Sequence, residues 1–124
     1  MQEIPLDFDF LFNNVNKIAY ILIDPCHFGR VNQKMADFCS CEISDLEGKS
    51  VSAILDEKEV ETVKKNNQEI FKKGLRKSVK MEIEIKDQTY IVKIDKIPHH
   101  NQKGQVDYIL CLAKDITSRI KNEK

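Results

Sequence analysis

The segment from Val106 to Ile116 is apolar on both faces of a β-strand, and this feature constrains the fold more than any other. A face left open to solvent would expose these apolar side chains to water, so the segment must be covered on both sides. We expect helices to cover one face, and the N-terminal segment or a partner subunit to cover the other. The two alternating sets are Val106, Tyr108, Leu110 and Leu112 on one face, and Ile109, Cys111 and Ala113 on the other.

Two segments upstream show the alternation of strands with one wet face. In residues 78–86, four apolar residues alternate with lysines and glutamates, and residues 90–97 follow a similar pattern. Pro98 is expected to end the second of these strands, because proline removes a ladder hydrogen bond. No arginine or lysine is clearly expected to face inward. The inward candidates are Val79, Met81, Ile83 and Ile85 on the first strand and Tyr90, Val92 and Ile94 on the second.

Helices are predicted between an initial pair of strands and these last three. Asp56 and Glu59 form a capping-box pattern, and Gly74 is a natural stop. The buried face of this long helix is expected to carry Val60, Val63, Asn67, Ile70 and Phe71. Asn32 is placed to cap a shorter helix whose inner face carries Met35, Phe38 and Cys39. The element order indicates an α+β fold with an antiparallel sheet.

Residues 1–16 are predicted to form an amphipathic cap helix. Phe8, Leu11, Phe12 and Val15 recur at helical spacing, and Asp7 could cap the first turn. This face could cover the chain's own sheet, pair with a second subunit, or do both. We expect a homodimer.

Composition argues against several function classes. The chain has 20 basic and 20 acidic residues without a basic cluster, so nucleic-acid binding is not expected. It has no apolar run long enough to span a membrane and no signal-peptide pattern, so we expect a cytoplasmic domain with no membrane contact. No phosphate loop or nucleophile motif is present, so we expect no enzymatic activity in this chain.

Several short motifs, in their order and spacing, resemble the PAS family of sensory domains. The resemblance covers residues 16–121, nearly the whole chain. It implies a five-stranded antiparallel sheet in the order 2-1-5-4-3, with short helices and one long helix enclosing a pocket on one face. The motifs are Ile21-Leu22-Ile23-Asp24, Gly29-Arg30-Val31-Asn32, Leu46-x-Gly48-Lys49-Ser50, Pro98, Gly104-Gln105-Val106 and Asp115-Ile116-Thr117.

The resemblance further implies a sensory domain at residues 17–117 of a prokaryotic signalling protein, with residues 118–124 opening a linker helix. The domain would bind a small ligand or a partner chain. It would relay the signal through Asp115, Ile116 and Thr117 to a covalently linked effector. That effector would be a histidine kinase of a two-component system or a diguanylate cyclase. The alternative is a dimerisation module with a filled, ligand-free core.

The cofactor stays open, although haem and flavin are disfavoured. The long helix lacks the histidine that haem-binding PAS domains use, and the cysteine motif of light-sensing flavin domains is absent. A second alternative is a metal or redox sensor through Cys26, Cys39 and Cys41. Their spacing is poor for zinc, and buried cysteines usually act as small hydrophobes, so no metal site is assigned.

Asn67 is the sharpest indication of a pocket, because it interrupts the apolar face of the long helix. A buried amide needs a partner from the protein, from water or from a ligand. A partly exposed or backbone-bonded amide is the simpler interpretation. The residues predicted to line a ligand pocket are Asn67, Tyr20, Met35, Cys39, Val63, Phe71, Met81, Tyr90 and Leu110.

Overall fold

Five strands form one antiparallel sheet in a computed structural model that describes residues 8–118, with side chains from Phe10 onward. The helices are α1 (Phe8–Asn14), α2 (Gln33–Phe38) and α3 (Glu57–Lys73), with 3₁₀ turns at Ile43–Asp45 and Val51–Ala53. The strands are β1 (Ile18–Asp24), β2 (His27–Val31), β3 (Lys77–Ile85), β4 (Gln88–His100) and β5 (Val106–Asp115). The strand order is β2-β1-β5-β4-β3, which confirms the predicted α+β fold and topology.

The central strand is β5, as the strand order implied by the PAS resemblance predicted. It lies between β1 and β4 and forms antiparallel ladders with both. On its inner face Ile109, Cys111 and Ala113 are buried, whereas Leu110 and Leu112 on the outer face are only partly covered. The helical layer and the core therefore lie on one side of the sheet.

Helix α3 has both predicted ends. Asp56 Oδ1 accepts a hydrogen bond from the Glu59 N–H at 2.7 Å, and Glu59 Oε1 accepts from the Asp56 N–H at 2.9 Å. Gly74 ends the helix with a φ of 67°, a conformation that glycine adopts without a side-chain clash. Val63, Asn67 and Ile70 are buried, as the periodicity predicted.

Asn32 joins three elements at the other end of the helical layer. Its Oδ1 accepts from the N–H groups of Ala19 and Met35 at 3.1 and 3.0 Å. Its Nδ2 donates to the carbonyl oxygens of Phe12 and Lys17 at 3.1 and 2.9 Å. This set of contacts, called here the Asn32 cluster, fixes β1, the start of α2 and the end of α1 together.

The N-terminal helix buries only part of its predicted apolar face. Phe12 is buried, but Leu11 is 48% exposed, and Val15, which follows the end of α1, is 40% exposed. Phe8 begins the helix, but its side chain lies outside the described residues, as does the proposed cap Asp7. Most of the predicted linker helix, residues 119–124, also lies outside them.

Strand β4 continues through Pro98 to His100, so the prediction that Pro98 ends it was wrong. Ile91 directs both its N–H and its C=O to the segment that follows β5. Successive residues of a strand direct their backbone N–H and C=O groups alternately to the two sides. The even-numbered residues of β4, including Pro98, therefore direct theirs toward β3. Strand β3 begins at Lys77, opposite Lys96. Pro98 therefore lies beyond the end of β3, where its missing N–H costs no ladder bond.

Candidate ligand cavity

A cavity of about 50 Å³ lies between the inner face of the sheet and the helical layer. Its lining residues are apolar except for Tyr20, Cys39 and Lys96. Among the described residues, Lys96 is the single charged residue that lines it. The other lining residues are Ile18, Leu22, Phe28, Met35, Phe38, Val51, Ile54, Leu55, Val63, Met81, Ile83, Val92, Ile94 and Ala113.

The structure brings five of the nine predicted pocket residues to this wall. They come from β1, α2, α3 and β3, so sequence periodicity placed their faces correctly on four separate elements. They are Tyr20, Met35, Cys39, Val63 and Met81.

Three other predicted pocket residues do not line the cavity. Phe71 is half-buried and packs against the core from the last turn of α3. Tyr90 packs edge-on against Phe38, with ring centroids 5.1 Å apart, and its hydroxyl donates to Gln88 Oε1 at 2.8 Å. Leu110 was assigned to the wrong face of β5, because the buried parity of that strand is the one that contains Cys111.

Asn67, the ninth predicted residue, supports the cavity from behind its wall. It is fully buried, and its Nδ2 donates to the Pro25 carbonyl at 2.9 Å. Its Oδ1 accepts from the ammonium of Lys96 at 2.7 Å, and the neighbouring Asn66 Oδ1 accepts from the same ammonium at 2.9 Å. The backbone-bonded interpretation of this amide holds for its nitrogen, whereas its oxygen serves a lysine.

Lys96 is the functional candidate that the sequence interpretation missed. It is only 1% exposed and points inward, so the expectation of no inward-facing lysine was wrong. The signal was present: Lys96 has the same strand parity as Val92 and Ile94, which were assigned to the inner face. Its charge argued for the surface, and its position in the alternation argued for the core.

Among the described residues, the charge of Lys96 has no anionic partner. No carboxylate oxygen of the described residues lies within 4.0 Å of its ammonium. Burial lowers the pKa of Lys96; the Cys111 thiol raises it by a smaller amount, and the cation of Lys77 on the adjacent strand has the smallest effect and lowers it. An ammonium has three donors. Asn66 and Asn67 take two of them, and the third has no acceptor among the described residues.

The other titratable groups near the cavity are neutral around pH 7. Burial raises the pKa of Cys39 and that of Cys111 to about 12, and burial also raises the pKa of Tyr20 well above its usual value of 10.0. The Cys39 thiol donates to Met35 Sδ at 3.9 Å. Among the described residues that line the cavity, Lys96 is therefore the one that carries charge at neutral pH.

The cysteines do not form a ligand set. All four are free, with Cys39 and Cys111 buried and Cys26 and Cys41 half-buried. Within residues 8–118, no group of three or more cysteine, histidine or carboxylate side chains is placed to hold a metal ion. The structure thus does not bring Cys26, Cys39 and Cys41 together as a metal site.

The segment after β5 is attached to β4 by three residues predicted to relay a signal. The Ile116 N–H donates to the Ile91 carbonyl at 2.8 Å, and the Ile91 N–H donates to Thr117 Oγ1 at 2.9 Å. Thr117 in turn donates to Asp115 Oδ1 from its hydroxyl at 2.6 Å and from its N–H at 3.0 Å. The strand that carries Lys96 therefore also holds the end of the described chain.

In the part of the chain that the structure describes, no helix is long and apolar enough to cross a membrane.

Comparisons with known proteins support the fold. No protein-family profile matches the sequence, and no curated protein matches it. Among solved structures, the PAS domain of Bordetella pertussis BvgS has 14% identity and a TM-score of 0.77, over 93% of this chain and 88% of that one.

Two further neighbours were solved with small molecules. A PAS domain from a LuxR-family regulator of Burkholderia thailandensis, in complex with ethanol, has 12% identity and a TM-score of 0.72, over 90% of this chain and 98% of that one. The PAS domain of the Cronobacter turicensis quorum-sensing receptor RpfR, in complex with C12:0, has 16% identity and a TM-score of 0.69, over 84% of this chain and 97% of that one. The chain therefore has the PAS fold, which the order of its sequence motifs predicted.

Proposed function

We propose that this chain, which has the PAS fold, is a sensory module that binds a small ligand in the cavity beside Lys96. The signal would pass through residues 115–117 to an effector outside this sequence, a histidine kinase or a diguanylate cyclase in a cytoplasmic setting. The chain itself would have no enzymatic activity. The observation that carries the proposal is that β4 both lines the cavity and holds the exit segment.

The coupling route is short. Val92 and Lys96 on β4 line the cavity, and Ile91, the residue before Val92, holds Thr117 and Ile116. Consider a ligand that binds more tightly when β4 is in one of two positions. Its difference in binding free energy between the two positions would shift the equilibrium between them, and the exit segment would move with β4. The apolar wall and its single charge favour a ligand that is mostly apolar.

The volume limits what fits without rearrangement. An apolar cavity of about 150 Å³ can hold benzene, and the cavity here is about 50 Å³. A ligand of more than a few heavy atoms would have to displace side chains. Met35 and Met81 on the wall are suited to that, because methionine is unbranched and adaptable. The neighbours solved with ethanol and with C12:0 are precedents for a very small ligand and for a much larger one.

A dimerisation module is the second candidate, and a specific observation favours it. Phe10 and Leu11 on α1 are 63% and 48% exposed, and Val15 beside them is also exposed. Such a group of apolar side chains on one element is typical of an interface. A homodimer is compatible with ligand binding, so the two candidates differ only in whether the cavity is used.

Native mass spectrometry of the purified chain, beside a denatured sample, tests the ligand. We expect a native mass above an integer multiple of 14.4 kDa, either as purified or after addition of a ligand. An unmodified dimer that takes up no small molecule under any condition would contradict ligand sensing and leave dimerisation as the role.

Thr117→Val tests the relay. The substitution removes the acceptor of the Ile91 N–H, so hydrogen exchange at Ile91 should accelerate, and effector output in the natural protein should lose its response to ligand. Thr89→Val, at an exposed position on the same strand, is the matched control and should preserve both. A Thr117→Val protein that signals normally would show that the route does not use this contact.

A further inference from the structure

A buried ammonium without an anion is the least explained feature of the cavity. Lys96 is held by the neutral oxygens of Asn66 and Asn67, with one donor left over. Transferring a charge out of water is costly unless an opposite charge or a full set of hydrogen bonds replaces the solvent. The described residues supply neither completely.

A purely structural role accounts poorly for the charge. Asn67 is already tied to the Pro25 carbonyl, and a methionine could fill the volume of the lysine stem. Replacing a whole buried ionic cluster by apolar residues is often neutral or stabilising, so a buried charge is weak evidence for a structural role. The retained charge therefore suits the binding of an anionic group that arrives with the ligand.

The electrostatic surroundings favour an anion. The ionisable groups on the strands beside Lys96 are Lys77 on β3, a second cation, and Cys111 on β5, which is a protonated thiol at neutral pH. On the helical side the contacts are the amides of Asn66 and Asn67. Lys77 is partly exposed and lies 4.0 Å from a carboxylate oxygen of Glu69 on α3, so Lys96 supplies the unpaired positive charge that an anion would meet among these neighbours.

The rest of the wall defines the remainder of the ligand. Apart from Lys96, the lining is apolar or weakly polar, so a second charged group on the ligand would be buried without a partner. One free N–H donor suits a monoanion with an accessible oxygen, and a carboxylate accepts such charge-assisted bonds well. The small volume favours a short aliphatic chain.

We propose that the cavity binds a short-chain aliphatic monocarboxylate, with the carboxylate at the Lys96 ammonium and the chain against Met35 and Met81. This inference rests on the proposed function, since it requires that the cavity takes a ligand. In it Asn66 and Asn67 are positioning residues, because they orient the ammonium and do not touch the ligand.

Titrations followed by ¹H–¹⁵N spectra of the chain test the proposal. The probes are sodium propionate, butanoate and hexanoate, each paired with the primary alcohol of the same chain length, at constant ionic strength. We expect at least one carboxylate to bind about tenfold or more tightly than its alcohol, a difference of about 1.4 kcal/mol. The shifted amides should lie on β4 around Lys96 and on α3 around Asn67.

Lys96→Met should remove the preference for the carboxylate and leave alcohol binding within about threefold. Lys93→Met is the matched control, because Lys93 lies on the same strand with its side chain exposed, and it should keep the preference. If Lys96→Met does not fold, Lys96→Gln provides an uncharged side chain that can still donate to Asn66 and Asn67.

The outcomes separate this inference from the proposed function. Equal affinity for carboxylate and alcohol, a preference that survives Lys96→Met, or competition by chloride as strong as by propionate would overturn the carboxylate assignment and leave a ligand cavity in place. Failure of every probe to bind would overturn the assignment as well. A native mass with no bound molecule under any condition would then contradict ligand sensing itself.

Discussion

The Asn32 cluster and the Lys96 cluster, which consists of Lys96, Asn66 and Asn67, are both buried polar groups, but they are satisfied in different ways. Asn32 uses both atoms of its amide to bond four backbone groups from three elements. Within the described part of the chain, Lys96 bonds two side-chain oxygens, both from α3, and its third donor has no acceptor. The first is neutral and complete, whereas the second is charged and incomplete.

This difference separates a structural role from a binding role. A buried amide that completes its hydrogen bonds with backbone groups fixes where elements meet. A buried ammonium at a cavity wall contributes little to stability, because desolvation offsets its hydrogen bonds. The two clusters should therefore respond differently to substitution.

Asn32→Ala should have the largest effect. It leaves two N–H groups and two carbonyl groups without their partner, so the free energy of unfolding should fall by about 3–5 kcal/mol. Urea denaturation followed by circular dichroism measures this loss. Asn16→Ala, which removes an exposed acceptor of Lys34, should change stability by no more than about 0.5 kcal/mol. A loss below about 1 kcal/mol for Asn32→Ala would remove the basis of the comparison.

Lys96→Met should change the free energy of unfolding much less, by under about 1.5 kcal/mol in either direction. Relief of the buried charge should offset the two lost hydrogen bonds. The same denaturation experiment at neutral pH gives the value. A loss as large as that of Asn32→Ala would mean that the Lys96 cluster is also a structural anchor.

The pH dependence should be the smallest effect. Folding lowers the pKa of Lys96 from 10.5. Between the folded-state pKa and 10.5 the unfolded chain therefore binds more protons than the folded chain, and the free energy of unfolding should rise with pH. The difference in unfolding free energy, wild type minus Lys96→Met, should therefore increase as the pH rises toward 10.5. Cys39 and Cys111, with raised pKa values, act in the opposite direction in both proteins, so they largely cancel. A flat difference would mean that folding does not lower the pKa of Lys96.

Most of the fold could be predicted from the sequence, because its signals are local and agree with one another. The capping box at Asp56, the stop at Gly74 and the alternation through Ile83 and Ile85 each specify a backbone conformation directly. The strand order came from the resemblance of the motifs, since pairing between distant strands leaves no local signal. Pro98 was misjudged because an edge position depends on where the neighbouring strand begins.

The site could be predicted only in part. Apolar periodicity found Tyr20, Met35 and Met81 because each obeys the pattern of its element. Lys96 was missed because its position in the strand alternation indicated the inner face, whereas its charge indicated the surface. The side chain lies on the inner face because Asn66 and Asn67 on α3 accept hydrogen bonds from its ammonium. Those asparagines lie about thirty residues away in the chain, at separations of 30 and 29, so no local pattern could reveal them.

The position of Pro98 has a consequence for self-association. Strand β4 extends past the start of β3, and none of the described strands pairs with its outer edge there, although Gly74 lies against the His100 side chain. An open edge of this kind can recruit an extended segment from another molecule and grow a continuous sheet between chains. Because Pro98 lacks an N–H on that edge, the ladder cannot be continued in register through it. The extension can therefore support β5 along its whole length without becoming a starting point for aggregation.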